Sequence, residues 1–293
     1  MYIQGGKFIM KKLALLLAAL GVVSAAAYAA PELTVTNFGQ SIETENVSNG
    51  DYDIDDIWLW NTVGLKYGDW SYNLTAGKHW SANFDHEKEI DSTNHRLQFD
   101  AWRKINDDLK LGFRYRGQKD FDRFVVRYDY AHGMFWSTGD FWYQFNNNNK
   151  DDRMEMEWFP LGVKVGALKV GYFVNYWKEA TEVKDGVQED YIDHQIRAYA
   201  PVYDGEKLDL STELRVSIKD EKGYKGTAPA HRNFDDFGRI RLYLKANYAM
   251  TENLDLYGTI GYGMRDYKME NGYTDDHTEK YYSNVVIGYN YKF

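Results

Sequence analysis

The sequence predicts an all-β chain: a transmembrane, antiparallel, up-and-down β-barrel of about fourteen strands, with twelve as the alternative count. Three observations predict it. Stretches of roughly ten to fourteen residues with apolar–polar alternation recur from residue 30 onward, and no long helical period interrupts them. Their connections alternate between a tight turn and a longer polar loop, as in a membrane barrel with short turns at one rim and longer loops at the other. The last stretch, Glu279–Phe293, alternates to its final residue. Tyr281, Ser283, Val285, Ile287, Tyr289, Tyr291 and Phe293 share one face, against Lys280, Tyr282, Asn284, Val286, Gly288, Asn290 and Lys292.

Composition narrows the function classes. The 293 residues hold 44 acidic and 35 basic side chains, a formal net charge of -9. Without a basic domain to release counterions, nucleic acid is not an expected partner. A mean hydropathy of -0.63 excludes a bundle of membrane helices. It leaves room for a membrane barrel, whose polar inner residues alternate with lipid-facing ones. The 25 Tyr and 9 Trp suit aromatic girdles at two membrane interfaces. Absence of cysteine removes any disulfide framework or thiolate metal site.

The N-terminus carries an address. Met10-Lys11-Lys12 is a short basic region, Leu13 to Val23 is apolar, and Ala27-Tyr28-Ala29 offers a small-x-small cleavage triplet. Residues 1–29 therefore read as an N-terminal extension with a cleaved export signal, leaving one barrel domain at 30–293. A membrane helix is the alternative, since the apolar stretch counted to Ala30 reaches about that length.

The strands follow in order. The first, Glu32–Glu45, is the least regular, its alternation breaking near Asn37; loop Asn46–Asp53 follows. The second sets Ile57, Leu59, Val63, Leu65 and Tyr67 against Trp58, Trp60, Thr62 and Lys66, and Gly68-Asp69 turns the chain. The third points Trp70, Tyr72, Leu74 and Ala76 outward and Ser71, Asn73, Thr75, Gly77 and His79 inward, before a charged loop, Ser81–Thr93. The fourth carries Leu97, Phe99 and Ala101, then turns at Asn106-Asp107-Asp108. The fifth is the clearest: Leu109, Leu111, Phe113 and Tyr115 against Lys110, Gly112, Arg114 and Arg116. After loop Gly117–Asp122, the sixth opposes Phe124, Val126, Tyr128 and Tyr130 to Arg123, Arg127 and Asp129.

Ser137–Asp140 reads as the next turn and Phe141–Asn147 as the seventh strand. The eighth, Arg153–Val165, contains Pro160, which cannot donate to a ladder. Gly166-Ala167 leads to the ninth, with Leu168, Val170, Tyr172, Val174 and Tyr176 against Lys169, Gly171, Phe173, Asn175 and Trp177. The tenth is Tyr191–Pro201, followed by a turn at Asp204-Gly205. The eleventh places Leu208, Leu210, Leu214, Val216 and Ile218 outward, and Asp209, Glu213, Arg215 and Lys219 inward. Asp220–Asp235 reads as the longest loop. The twelfth opposes Ile240, Leu242, Leu244, Ala246 and Tyr248 to Arg239, Arg241, Tyr243, Lys245 and Asn247, and Thr251-Glu252-Asn253 turns into the thirteenth, Leu254–Lys268. A backbone in lipid must satisfy its own hydrogen bonds, so such strands must close on themselves. An even count puts both termini on one side, expected to be the periplasm.

The closing strand resembles that of bacterial outer-membrane barrels, in which a terminal Phe behind alternating apolar residues is read by the barrel-assembly machinery. An amphipathic edge strand of a soluble sheet is the alternative. The mature chain as a whole resembles the outer-membrane porin G family. The resemblance is carried by His194-Gln195-Ile196-Arg197-Ala198-Tyr199-Ala200-Pro201, by Phe237-Gly238-Arg239-Ile240-Arg241-Leu242-Tyr243, by Asn106-Asp107-Asp108 ahead of a strand, and by the Val286–Phe293 ending. It implies a monomeric, fourteen-stranded channel of low selectivity in the outer membrane, surrounded by outer-membrane lipid and lipopolysaccharide. Its cargo would be small saccharides, ions and other hydrophilic solutes, controlled by the external loop at Asp220–Asp235. The family's two gating histidines fall near Asp235 and Tyr267, and neither is His. His231 and His277 lie nearby and could substitute, since imidazole titrates in the right range; the alternative is two solvated loop histidines.

Catalytic chemistry is not expected. No G-x-S-x-G elbow, H-E-x-x-H or P-loop occurs, and no cofactor is implied. Asp51, Asp53 and Asp55 begin like a calcium loop, but Asp56 stands where Gly is needed and Thr62 at the twelfth position. Asp193 and His194 are adjacent on a strand and so point to opposite faces, which prevents them from sharing a proton. The inward set is more informative. Arg114, Arg116, Arg127, Arg197, Arg215, Arg239, Arg241 and Arg265 lie beside Asp100, Asp129, Asp193, Asp209, Glu213 and Asp255. Such groups either stiffen and solvate a wall or set a transverse field whose cationic patch favours anions. Trp58, Trp60, Trp102 and Trp177 share that face and could stack on sugar rings, although a one-residue slip would send them to lipid. A second function class, a surface adhesin or receptor, rests on the charged loops Ser81–Thr93 and Asp220–Asp235.

Overall fold

The computed structural model describes residues 31–46, 54–83, 89–147, 151–274 and 280–293. Residues Thr34–Phe293 form one unit. It contains β1 (Thr34–Asn46), β2 (Ile54–Tyr67), β3 (Trp70–Asn83), β4 (Glu89–Lys104), β5 (Leu109–Gln118), β6 (Phe121–His132) and β7 (Phe135–Asn146). The second half continues with β8 (Arg153–Val165), β9 (Leu168–Glu179), β10 (Gln188–Asp204), β11 (Leu208–Tyr224), β12 (His231–Ala249), β13 (Leu254–Glu270) and β14 (Lys280–Lys292). Each strand pairs antiparallel with its sequence neighbours, and β1 pairs with β14, so the ring is closed at fourteen. Closure leaves no unpaired edge.

The two rims differ. At one, short turns join β2–β3, β4–β5, β6–β7, β8–β9, β10–β11 and β12–β13, and both strand termini lie there, Asn37 opposite Lys292. The turn chemistry is local. Gly133 and Gly166 supply positive φ angles of 58° and 59° for tight hairpins. Asn106 Oδ1 accepts from the Asp108 and Leu109 amides at 2.9 and 2.8 Å, and Thr251 Oγ1 accepts from Leu254 N at 3.0 Å.

Face assignment follows from curvature. Side chains crowd on the concave side of a closed sheet and splay apart on the convex side. Val126, Leu242, Ile260 and Ile287 are exposed, as are Leu111, Leu214 and Phe113 on the same face, whereas Trp58, Asp100, Asp193, Glu213 and Ser217 are buried. The apolar set is therefore outside and the charged set lines the lumen, in the predicted register.

Four readings are corrected. The β6–β7 turn is Gly133–Met134, and Ser137–Asp140 belongs to β7. β8 keeps the bounds read from the sequence, with Pro160 held at a register shift between Trp158 and Leu161, where the bulge releases the ladder position it cannot fill. A second shift, at His194/Gln195 against Ser217/Lys219, reverses the phase of β11. Lys219 is consequently exposed and paired with Glu221 at 2.6 Å instead of facing inward, and Asp220 takes the inner face. The stretch 220–235 is mostly strand, with only residues 225–230 left as connection, and the described residues of Ser81–Thr93, 81–83 and 89–93, are likewise strand. The loop Asn46–Asp53 beyond Asn46 and the position of His277 lie outside the described residues.

Candidate functional site

The inner wall has two charged sectors. On β4–β7, Asp100 receives Arg114 Nε at 2.6 Å and Arg127 Nη1 at 2.7 Å, the latter reaching past β5. Arg127 Nε also meets Asp140 on β7 at 2.8 Å. Arg116 Nε donates to Gln98 at 3.0 Å, and Arg123 lies 3.8 Å from Glu155 on β8. Asp129 is half-buried opposite Lys110. Here acids and bases interleave, although Arg116 stands directly opposite Arg123.

On β10–β13 the arginines stand in register. Arg197 is opposite Arg215, Arg215 is opposite Arg241, and one step further along Arg239 is opposite Arg265. Like charges directly across a ladder are unfavourable. Two buried acids offset part of this: Glu213 bridges Arg215 and Lys245, each at 2.5 Å, and Asp193 receives Arg239 at 3.1 Å. Aromatic faces supply the rest. Arg197 lies 3.3 Å over Phe173, Arg241 3.7 Å over Tyr282 and Arg215 4.7 Å over Tyr243. Asp255 sits apart near the turn rim, paired with Lys292 at 2.6 Å.

All four predicted tryptophans face the lumen, each with a guanidinium over a ring face. Trp58 and Trp60 stack at 4.4 Å with Arg96 at 4.7 and 4.9 Å from their centroids. Arg127 lies 4.7 Å over Trp102 and Arg153 3.9 Å over Trp177. Arg96 and Arg153 escaped the sequence reading because each stands where a strand was taken to begin.

His231 is not a solvated loop residue. It opens β12, lies 4.9 Å from the Tyr224 ring and 3.5 Å from Glu270, and its Nδ1 is 2.9 Å from the Pro229 carbonyl. Asp193 and His194 are split across the sheet, the first buried inward and the second outward with Nδ1 2.6 Å from the Tyr172 hydroxyl.

Sequence reading missed Asp220. The bulge turns it inward, where its Oδ1 accepts from the Phe234 amide at 2.6 Å. A β-strand crosses a membrane in about 9–11 residues, so this part of β11, counted from Leu208, lies beyond the span. Burial, reinforced by Asp193, raises the Asp220 carboxyl to about 6, against the opposing pull of the Phe234 amide, Lys222 and Tyr191. Its charge was the only signal the sequence offered, because the bulge that turns it inward leaves no mark there.

No protein-family model matches the chain, and no curated protein matches it. Among solved structures it is similar to a bacterial polysaccharide outer membrane secretin, with a TM-score of 0.56 and 11% identity over 88% of this chain and 98% of that one. It also matches the translocator domain of the autotransporter NalP from Neisseria meningitidis, with a TM-score of 0.46 and 12% identity over 98% and 96% of the two chains. An anion-selective porin from Comamonas acidovorans follows, at 0.42 and 10% over 89% and 100%. The first likeness is one of fold, and the chain is built as a closed antiparallel barrel of the outer-membrane type.

Proposed function

We propose that the chain is an outer-membrane channel for passive diffusion of small hydrophilic solutes, with ions, monosaccharides and oligosaccharides as cargo. One observation carries the reading: a closed ring of fourteen strands with an apolar outer face and a charged inner face. An eight-stranded barrel can be filled by its own side chains, and fourteen strands enclose a wider bore. Among the described residues the longest connection is 180–187, too short to form a plug domain. The likeness of fold to an outer-membrane protein supports the location.

The turn rim, with both termini, faces the periplasm after export and removal of residues 1–29, and the barrel works as a monomer in lipid and lipopolysaccharide. Phe293, exposed at the end of β14, is the handle for the assembly machinery. Trp60, Trp102 and Trp177, half-buried on the inner face, are the candidate sugar-stacking rings, whereas Trp58 is buried among Trp60, His79 and Arg96. His231, held between Tyr224 and Glu270, is the candidate gating residue beside the connection at 225–230. A surface adhesin has less support, because most of Asp220–Asp235 is strand.

The test is electrical and osmotic. Refolded protein in planar bilayers should give stepwise conductance, and loaded liposomes should swell in saccharides at rates that fall with sugar size. Silence in both assays overturns the reading.

A further inference from the structure

We infer that the β10–β12 wall carries an oxyanion site, in which Arg197, Arg215 and Arg241 grip a carboxylate or phosphate group of a passing solute. The inference deepens the channel reading and rests on it for the identity of the solute as cargo. The row is a costly arrangement in a chain whose net charge is -9, with acids in excess to neutralise it. Register places the three arginines side by side on consecutive strands. Only Arg215 has a carboxylate at ion-pair distance; among the described residues none stands within reach of Arg197 or Arg241. The Arg197 Nε donates to the neutral amide of Gln195 at 2.8 Å, and the buried Nε of Arg241 has no hydrogen-bonding partner.

The stacking geometry leaves donors to spare. A guanidinium lying flat on an aromatic face keeps its N–H groups in its own plane, free to point sideways. Phe173, Tyr243 and Tyr282 thus hold the three forks without consuming them. Beside them lies a small recess of about 20 Å³ lined by Gln195, Arg197, Arg215, Ser217, Arg239 and Arg241. Planar forks of this kind match the two or three oxygens of a carboxylate or phosphate, whereas a neutral sugar hydroxyl has no charge to return. The β4–β7 sector also sets Arg116 opposite Arg123, but there Asp100 and Asp140 pair with Arg114 and Arg127, and Glu155 lies 3.8 Å from Arg123.

The experiment uses the full chain refolded in detergent at low salt, with calorimetric titration of inorganic phosphate, of glucuronate and of glucose. Phosphate, glucuronate or both should bind at one site and glucose should not; whichever anion binds identifies the group the cargo carries. The R197Q/R241Q variant should bind at least tenfold more weakly, since each lost charge-assisted hydrogen bond is worth roughly a decade. R197K/R241K, which keeps the charge and loses the fork, should fall between the two. If the double glutamine variant does not refold, R241Q alone carries the comparison. Equal binding by wild type and glutamine variants overturns the site, as does binding of neither anion, or of glucose as tightly as the anions. The titration needs no conductance, so a silent bilayer with intact phosphate binding would defeat the channel and leave the site standing.

Discussion

Arg239 reaches from β12 past β11 and places Nη1 3.1 Å from Oδ2 of Asp193 on β10. The same oxygen takes the Gln195 amide at 2.5 Å and the Ser217 hydroxyl at 3.4 Å, while Oδ1 has no hydrogen-bonding partner. Asp193 is 0% exposed, so its charge depends on Arg239.

Removing that guanidinium should therefore cost more than one hydrogen bond. Breaking a buried pair by deleting one partner leaves an uncompensated charge, typically about 3 kcal/mol or more. R239M should lose about 3 kcal/mol in urea unfolding from detergent or liposomes, and D193N in the same chain should recover much of it. An R239M barrel as stable as wild type would show that Asp193 is held by other means.

Asp220 gives the rim of β11 and β12 a pH response. Its carboxyl is raised from an ordinary 3.8 to about 6, with Tyr191, Asp193 and Lys222 as the charged or titratable neighbours that set it. Between about pH 4 and 6 the folded chain holds a proton that the unfolded chain would release. Stability from this group is thus greatest at the acid side and falls as pH rises through 6. Amides 231–236, corrected for intrinsic exchange, should be better protected at pH 5 than at pH 7.5, and D220N should abolish the difference. An unchanged pH dependence in D220N would assign it elsewhere.

A register shift between Phe234 and Arg239 in β12 makes opposite demands on adjacent residues. Phe237 sits at φ 61°, a left-handed conformation that costs a side-chain-bearing residue about 1 kcal/mol, and it is exposed, so little packing compensates. A Cβ at Gly238 would come within 2.6 Å of the Asp266 carbonyl and 2.8 Å of the Asp235 carbonyl, both backbone. F237G should be neutral or stabilising by up to about 1 kcal/mol. G238A should destabilise, by about 1–3 kcal/mol. Thermal unfolding of the two variants, run side by side, checks both; a stable G238A would remove the constraint.

Within the hydrocarbon span the sequence was readable because lipid imposes a rule at every second residue. Leu109 to Arg116, Leu168 to Trp177 and Arg239 to Asn247 show their faces without ambiguity, and the structure keeps them. Beyond the span both faces of a strand meet water, so alternation lapses. Asp220-Glu221-Lys222 and His231 to Phe234 then looked like loop although they are paired strand. The bulge beside Lys219 was invisible for a different reason: an inserted residue shifts phase without leaving a compositional mark. Ser137-Thr138-Gly139-Asp140 has the composition of a turn, yet Gly139 is packed against Tyr128 and Phe141 inside β7. The arginine row was legible residue by residue, but its side-by-side alignment depends on register across three strands, which one chain read linearly does not contain.

The central claim is that the apolar face meets lipid and the charged face meets water, and the absence of native cysteine makes it directly measurable. Single cysteines at Leu111, Leu242, Ile287, Arg114 and Arg241, reconstituted in liposomes, should divide cleanly when treated with a charged thiol reagent. Positions 114 and 241 should label fast, and 111, 242 and 287 should stay protected. Labelling in the opposite pattern, or uniform labelling of a chain that remains soluble without detergent, would contradict the account.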